Sequence, residues 1–228
     1  MSKFEAEREK VVNRLIAEGI LRTPSVIRSM KIVPREEFVP DDMRSYAYLD
    51  NPLPIGQGQT ISAPHMCAIM NEALKFEVGH KVLEVGAGSG YHAALVAEIV
   101  APSNIDSKLW GHVYAVEIVP ALAVSAQRNL EKTGYLNRVS IINADGSQGY
   151  LEEAPYDRIF VTAAAPDVPK PLIEQLKPGG IMVIPVGGQY LYQELLLVEK
   201  SAIGEAVTKS VCGVAFVLLR GQYGWKEV

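Results

Sequence analysis

The 228-residue chain is 48% hydrophobic and 21% charged, the balance of an ordinary globular protein rather than a disordered or fibrous one. A formal net charge of −4, with no run of Lys and Arg, argues against nucleic acid as a partner. Cys67 and Cys212 stand far apart and outside any Cys-x-x-Cys pair, which points to two small core hydrophobes and to no metal centre. No apolar stretch reaches the roughly 20 residues needed to cross a bilayer. Met1 to Glu5 begins a charged, amphipathic segment instead of a signal core. The expectation is a soluble cytoplasmic protein, not associated with membrane, of one domain with appendages.

Phe4, Val11, Val12, Leu15 and Ile16 recur at helical spacing, and Gly19 ends that helix. Thr23-Pro24 reads as an N-cap followed by proline at the first helical position. The helix it opens turns Val26, Ile27, Met30 and Val33 inward and closes at Pro34, with one short turn expected at Glu36 to Val39. Pro52, Pro54, Gly56, Gly58 and Pro64 punctuate an irregular stretch from Tyr46 to Pro64. A long apolar loop of this kind points to function rather than disorder. Pro64 to Phe76 follows as a helix with Met66, Ile69, Met70, Ala73 and Leu74 on its buried side.

Strands and helices then alternate. Strands are predicted at Lys81–Val85, His112–Glu117, Val139–Asn143, Tyr156–Val161 and Ile181–Val186. Helices are predicted at Tyr91–Val100, Pro120–Thr133 and Pro169–Leu176, the last followed by the turn Lys177-Pro-Gly-Gly180. This order implies an α/β fold, a doubly wound Rossmann-like sheet that is mostly parallel. Glu194–Val198 and Val211–Leu219 lack a long helix between them, so antiparallel pairing at the sheet edge is expected. The whole chain, 1–228, reads as one domain. Its parts are N-terminal helices with an irregular loop (1–76), a sheet core (77–187) and C-terminal strands (188–228).

In such a sheet, ligands bind beyond the carboxyl ends of the strands. The first strand runs into Glu84-Val-Gly-Ala-Gly-Ser-Gly90. Glycines let backbone approach a ligand closely, and the helix that follows offers free N–H groups. The second strand ends at Glu117, suited to accept hydrogen bonds from ribose hydroxyls, and the third at Asp145-Gly146, where a carboxylate could accept from an adenine amino group. Two other readings stay open, a ligand-free tight turn or a nicotinamide site. A dinucleotide fingerprint would place the third glycine one residue later than Gly90. Pro102 to Gly111 reads as an insertion that lengthens the path to Glu117.

Glu84 two places before Gly86, with Gly88 and Gly90, resembles the class I S-adenosylmethionine methyltransferases. Thr162-Ala-Ala-Ala-Pro166 replaces the Asn-Pro-Pro-Tyr type motif of nucleobase amino-methylating enzymes, and the Pro-Cys pair of cytosine-C5 enzymes is absent. Gly58-Gln-Thr-Ile-Ser-Ala-Pro-His-Met66, with Ala154-Pro-Tyr-Asp157, Gln175-Leu-Lys-Pro-Gly-Gly180 and Pro185-Val-Gly187, closely resembles the protein-L-isoaspartate O-methyltransferases. The likeness runs from about Leu15 to the end of the chain.

That resemblance implies S-adenosyl-L-methionine as cofactor, S-adenosyl-L-homocysteine as product, and isoaspartyl-containing proteins and peptides as substrates. Their free α-carboxylate would be esterified, and the ester would close to a succinimide whose hydrolysis returns some aspartate. It places Gln59, Thr60, Ile61, Ser62, His65, Glu84, Gly86, Gly88, Gly90, Glu117, Ile118, Asp145, Gly146 and Thr162 around the cofactor. Ser62 is the expected catalytic residue, donating its hydroxyl to one carboxylate oxygen. It could also cap the helix that begins near Pro64, and both roles could hold together. His65 either donates to the methionine carboxylate or packs against the loop.

A carboxylate is already ionised at neutral pH, so no strong base is required. Val214 to Leu219, ending at Arg220, is the expected edge for substrate main chain, paired with Pro54 to Gly56, or else an ordinary buried strand. His80, His92 and His112 are expected at the surface or in turns. Tyr190, Tyr192, Tyr223 and Trp225 are expected to be packing or surface aromatics. The rival functions are methylation of another carboxylate or small molecule, and a cofactor-binding scaffold without turnover.

Overall fold

The computed structural model describes residues 2–189 and 192–226, so the aromatic assigned at Tyr190 lies outside the described residues. The chain opens with α1 (Lys3–Ala17), closed at its N-terminus by a capping box between Ser2 and Glu5. Helix α2 (Pro24–Ile32) follows, starting on the predicted proline. Two 3-10 turns come next, Arg35–Glu37 and Asp41–Tyr46, the second not anticipated from the sequence. The stretch read as irregular contains a small antiparallel hairpin, β1 (Leu53–Gly56) and β2 (Gln59–Ile61). Its strands are too short for alternation to show, and Pro54 hides the pattern. Helix α3 (Pro64–Leu74) ends two residues before the predicted Phe76, because Lys75 adopts a left-handed conformation with φ 49°.

The core elements are β3 (Lys81–Val85), α4 (Tyr91–Val100), β4 (His112–Glu117), α5 (Pro120–Thr133), β5 (Val139–Asn143), β6 (Tyr156–Val161) and α6 (Lys170–Gln175). They are followed by β7 (Leu176–Gly187), β8 (Gln193–Lys200) and β9 (Ala206–Val214). One seven-stranded sheet runs in the order β5-β4-β3-β6-β7-β8-β9. Its first five strands are parallel, and β8 and β9 are added antiparallel, as expected of a doubly wound sheet with antiparallel C-terminal strands. The strand order reverses between β3 and β6, so the crevice for a ligand opens above their carboxyl ends.

All ten residues of α4 are buried. A helix that is apolar all round needs cover on every side. The sheet covers one face and α2 of the N-terminal layer packs against the other. His92 of α4 is therefore not a surface histidine. It is buried and bonded to Asn71 at 2.9 Å, and burial pushes its imidazole down to about 3. His80 and His112 are half-buried. Cys67 is a core residue as expected, whereas Cys212 is only half-buried because it lies on the edge strand β9.

The insertion after α4 folds back on itself, Trp110 Nε1 donating to the Pro102 carbonyl at 2.9 Å. The Arg138 guanidinium lies 5.3 Å from the Trp110 ring and pairs with buried Glu98 at 2.9 Å. β4 still starts opposite Lys81, so the insertion leaves the register between β3 and Glu117 undisturbed.

The chain leaves the sheet at Val214. Val211 to Leu219 is thus not one strand. Residues 215–219 turn inward across the carboxyl ends of the sheet, where Ala164 N donates to the Val217 carbonyl at 2.7 Å and Leu219 N to the Ala164 carbonyl at 2.9 Å. Pro54 and Gly56, expected across the cleft from this segment, pair with Thr60 and Gln59 in the β1–β2 hairpin. Trp225 Nε1 donates to the Ala164 carbonyl at 3.0 Å, so this aromatic packs inward, while Tyr192 is 71% exposed. Among the described residues no helix is long and apolar enough to cross a membrane.

Candidate active site

The glycine turn is held by the strand beside it. Gly86 N and Ala87 N both donate to the Val116 carbonyl, at 2.8 and 3.1 Å. Gly88 N donates to Glu117 Oε2 at 2.8 Å, and Val119 N to Glu117 Oε1 at 2.9 Å. The Glu117 carboxylate thus shapes the turn itself, and each oxygen keeps a second lone pair for a ligand hydroxyl. Gly86 has φ 97°, and a Cβ there would run into the Thr162 hydroxyl. Thr162 Oγ1 donates towards the Gly86 carbonyl at 2.6 Å, so only glycine permits this approach of β3 to β6.

Three cavities meet along the crevice, and Thr60 and Thr162 line all of them. The first is bounded by Gly86, Glu117, Ile118, Leu122, Gly146 and Leu219 among others, with Gln59 at its mouth. The second is bounded by Pro52, Ser62, His65, Tyr192, Val214 and Phe216 among others. The third lies between them and is lined by Ile61, Ser62, Glu84, Gly86, Gly88 and Ser89 among others. Ser62 borders both the second and the third.

Glu84 is the electrostatic anomaly of the site. It is fully buried on β3, and neither carboxylate oxygen has a hydrogen-bond partner. Burial raises its carboxyl well above the ordinary 4.5, and nearby Glu117 pushes the same way. A buried carboxylate without a partner is costly unless a cation or donor meets it. The residues present therefore fit a ligand that carries a positive group against the glycine turn.

Asp145 is placed differently from its expected role. Its Oδ1 accepts from Ser147 N at 2.9 Å and Ser147 Oγ at 2.7 Å, and its Oδ2 from Gln148 Nε2 at 3.1 Å and Gln222 N at 2.8 Å. Burial opposes the charged form, but these donors hold the carboxyl below its usual range. Four donors fill the four acceptor positions of a carboxylate, so an adenine amino group would have to share one. Asp145 lines none of the three cavities; its neighbour Gly146 does.

Gly90 has φ 84° and caps α4 instead of lining a cavity. His65 turns Nδ1 to Asp50 Oδ1 at 2.9 Å. Sequence reading missed Pro52 and Leu122 as wall residues, and it placed Val217 to Leu219 at the substrate edge where they also wall the glycine-turn cavity. Their only local signal is apolar or turn-like texture, and long-range folding brings them here. Arg220 is exposed at the rim of the first cavity. Among the described residues no cluster of His, Cys, Asp or Glu is suited to hold a metal ion.

The comparisons agree with this geometry. The family model for protein-L-isoaspartate(D-aspartate) O-methyltransferase matches residues 6–224. A protein-L-isoaspartate O-methyltransferase of Hyperthermus butylicus is 58% identical over 224 residues, 98% of this chain and 92% of the relative. One from Methanopyrus kandleri is 57% identical over 98% of this chain and 96% of its own length. Among solved structures, a Plasmodium falciparum chain described as such a methyltransferase, in complex with S-adenosyl-L-homocysteine, superposes with TM-score 0.80 and 26% identity. The match covers 96% of this chain and 99% of that one. The chain belongs to the protein-L-isoaspartate(D-aspartate) O-methyltransferase family.

Proposed function

We infer that the protein transfers a methyl group from S-adenosyl-L-methionine to the free α-carboxylate of L-isoaspartyl residues in damaged proteins and peptides, starting their repair through a succinimide. The observation that carries this reading is the position of Ser62, on the border between the cavity of the glycine turn and the cavity walled by Val214 and Phe216. The cofactor supplies an electrophilic sulfonium methyl. Glu84 would meet its positive amino acid end, Gly86 and Gly88 would admit it by close main-chain approach, and Glu117 would accept from its ribose. Ile118, Leu122 and Gly146 would wall the base, with Gln59, Thr60, Ile61 and Thr162 closing the channel.

On the other side, Ser62 would donate its hydroxyl to one carboxylate oxygen and leave the other in line with the methyl group. Positioning and exclusion of water supply the rate. Main-chain groups of Val214 to Val217 beside the cavity suit a substrate whose flanking sequence varies. The chain acts in this reading as one methyltransferase unit, with no nucleic acid or membrane partner. Its two free thiols are in keeping with the reducing cytoplasm.

The test is methyl transfer from labelled cofactor to matched peptides containing isoaspartate or aspartate. Base-labile label on the isoaspartyl peptide alone is expected. Equal labelling of both, or of neither, would reject the reading.

A further inference from the structure

The C-terminal segment that walls the cleft is held at two separate points. At its far end Val217, Leu218 and Leu219 line the glycine-turn cavity, and the bonds to Ala164 fix them there. At its near end β9 stops at Val214, the residue paired with Gln193 at the start of β8. Phe216 lies beyond that pair and outside the ladder, yet its main chain is bonded. The Gln193 side chain reaches it: Phe216 N donates to Gln193 Oε1 at 2.6 Å, and Gln193 Nε2 donates to the Phe216 carbonyl at 3.2 Å.

A side-chain amide carries both a donor and an acceptor, so here it does what a residue of a neighbouring strand would do. A carboxylate has no donor for the carbonyl, and a Lys or Arg side chain has no acceptor for the N–H. Gln193 is only 4% exposed, so both bonds form away from water, where a lost partner is costly. The base of the clamp is tightly packed. Gln193 pairs with Gly187 of β7, where a Cβ would stand 2.7 Å from the Gln193 Cα, and Gly187 N donates to the Ala165 carbonyl at 3.1 Å. The amide is thus tied to the sheet core, while the Phe216 it holds lines the acceptor cavity with Ser62, Met66 and Val214. Gln193 itself lines none of the three cavities.

We propose that Gln193 is a positioning residue for the methyl acceptor: its amide stands in for a strand partner and sets the Phe216 main chain as a wall of the cavity beside Ser62. The identity of that acceptor, an isoaspartyl peptide, rests on the function inferred above. Because the Ala164 bridge holds residues 217–219 separately, loss of the amide loosens the acceptor half of the segment and leaves the cofactor half in place. The competing explanation is that Gln193 only satisfies a corner of the sheet, adding stability and nothing to acceptor binding.

The experiment uses the full chain and the variants Gln193→Leu and Gln193→Glu. Q193L keeps most of the bulk and loses both bonds, whereas Q193E keeps an oxygen for Phe216 N and loses the N–H donors. Exchange of the Phe216 amide hydrogen is followed by NMR, S-adenosyl-L-homocysteine affinity by calorimetry, and isoaspartyl-peptide KM and kcat by methyl transfer. In the wild type the Phe216 amide should exchange as slowly as the amides paired between β8 and β9. Q193L should speed that exchange and raise peptide KM, each about tenfold, the scale of one buried main-chain group left without its partner. Its kcat should fall by no more than about threefold and its cofactor-product Kd stay within about twofold, since neither site loses a contacting group. Q193E, keeping the shorter bond, should leave the amide slow and raise KM by only about threefold.

A wild-type Phe216 amide that exchanges at the rate of an exposed loop would overturn the proposal, and that measurement needs no variant to fold. So would a Q193L whose thermal stability drops while KM holds, the outcome of a corner role alone. A Kd that weakens as much as KM would overturn it too, because the two halves of the segment would then move together. A wild type that binds S-adenosyl-L-homocysteine but methylates no isoaspartyl peptide rejects the functional reading alone. Exchange at Phe216 in the wild type and Q193L then decides whether Gln193 holds the wall.

Discussion

The glycine-turn side of the cleft and the acceptor side are built by different means. On the first, Gly86, Ala87 and Gly88 are bonded to Val116 and Glu117, residues at the matching ends of two adjacent parallel strands. On the second, Ser62 and His65 face Tyr192 and Val214 to Val217, some 130 to 150 positions on. Strand pairing sets the glycine turn itself, with Gln59 and Leu219 only closing its cavity, whereas the second side exists only once the N-terminal layer and the C-terminal segment have docked on the sheet. A cofactor common to many enzymes can be read by backbone. An acceptor site must be assembled around whatever the enzyme modifies.

The comparison predicts that damage to the first side shows in cofactor binding and damage to the second in acceptor kinetics. The largest effect is expected from Gly86→Val. Left-handed strain of about 1–3 kcal/mol and overpacking against Thr162 of similar size together amount to roughly a thousandfold loss of S-adenosyl-L-homocysteine affinity by calorimetry. Affinity within a few fold of wild type would break the claim that this turn is sterically set.

Ser62→Ala should lower kcat about a hundredfold, the scale of one lost transition-state donor, while cofactor affinity stays within a factor of about two. Equal loss in both would dissolve the boundary between the two sides.

Glu84→Gln should weaken the cofactor about tenfold, as expected for removing a charged partner from a buried contact. Its effect on the unliganded protein runs the other way. Burial raises the folded carboxyl well above 4.5, so the folded state holds the proton more tightly than the unfolded one. That stabilisation is complete below the unfolded value and is lost as pH rises through the folded value. Scanning calorimetry should therefore find E84Q more heat-stable than wild type near neutral pH, with the gap closing in acid. A less stable E84Q would show the carboxylate to be satisfied by the protein itself.

The smallest effect is expected from Tyr192→Ala. The ring is 71% exposed at the rim of the acceptor cavity, and its loss should raise peptide KM about threefold, under 1 kcal/mol, without touching cofactor affinity. A change in calorimetric affinity instead would place the ring on the cofactor side.

The same contrast governs what could be read in advance. Alternation of β3 to β7 with their helices, the turn at Gly86 and the acid at Glu117 are local patterns, and each lies where the sequence put it. So does Pro64 at the start of α3. The run Thr60 to His65 was recognisable by resemblance, though the hairpin around it was not. The burial of His92 was missed because its helix gives no amphipathic signal, being covered on both faces. Asp145 was assigned to a ligand, but its oxygens are taken up by Ser147, Gln148 and Gln222, a contact across 77 positions that no local pattern records. Val214 to Leu219 read as a continuation of β9. The chain instead breaks from the edge and bridges to Ala164, because hydrogen bonds above the sheet replace those a further strand pair would make.

The amino-acid order by itself determined the parallel sheet, the cofactor turn and the kinship of the acceptor loop, since period, glycine placement and short motifs act over a few residues. Only the tertiary structure decided that Glu84 is buried without a partner, that Asp50 stands behind His65, and that residues 214–219 wall the cleft. Burial and charge pairing depend on what packs from elsewhere in the chain, and that information is not local.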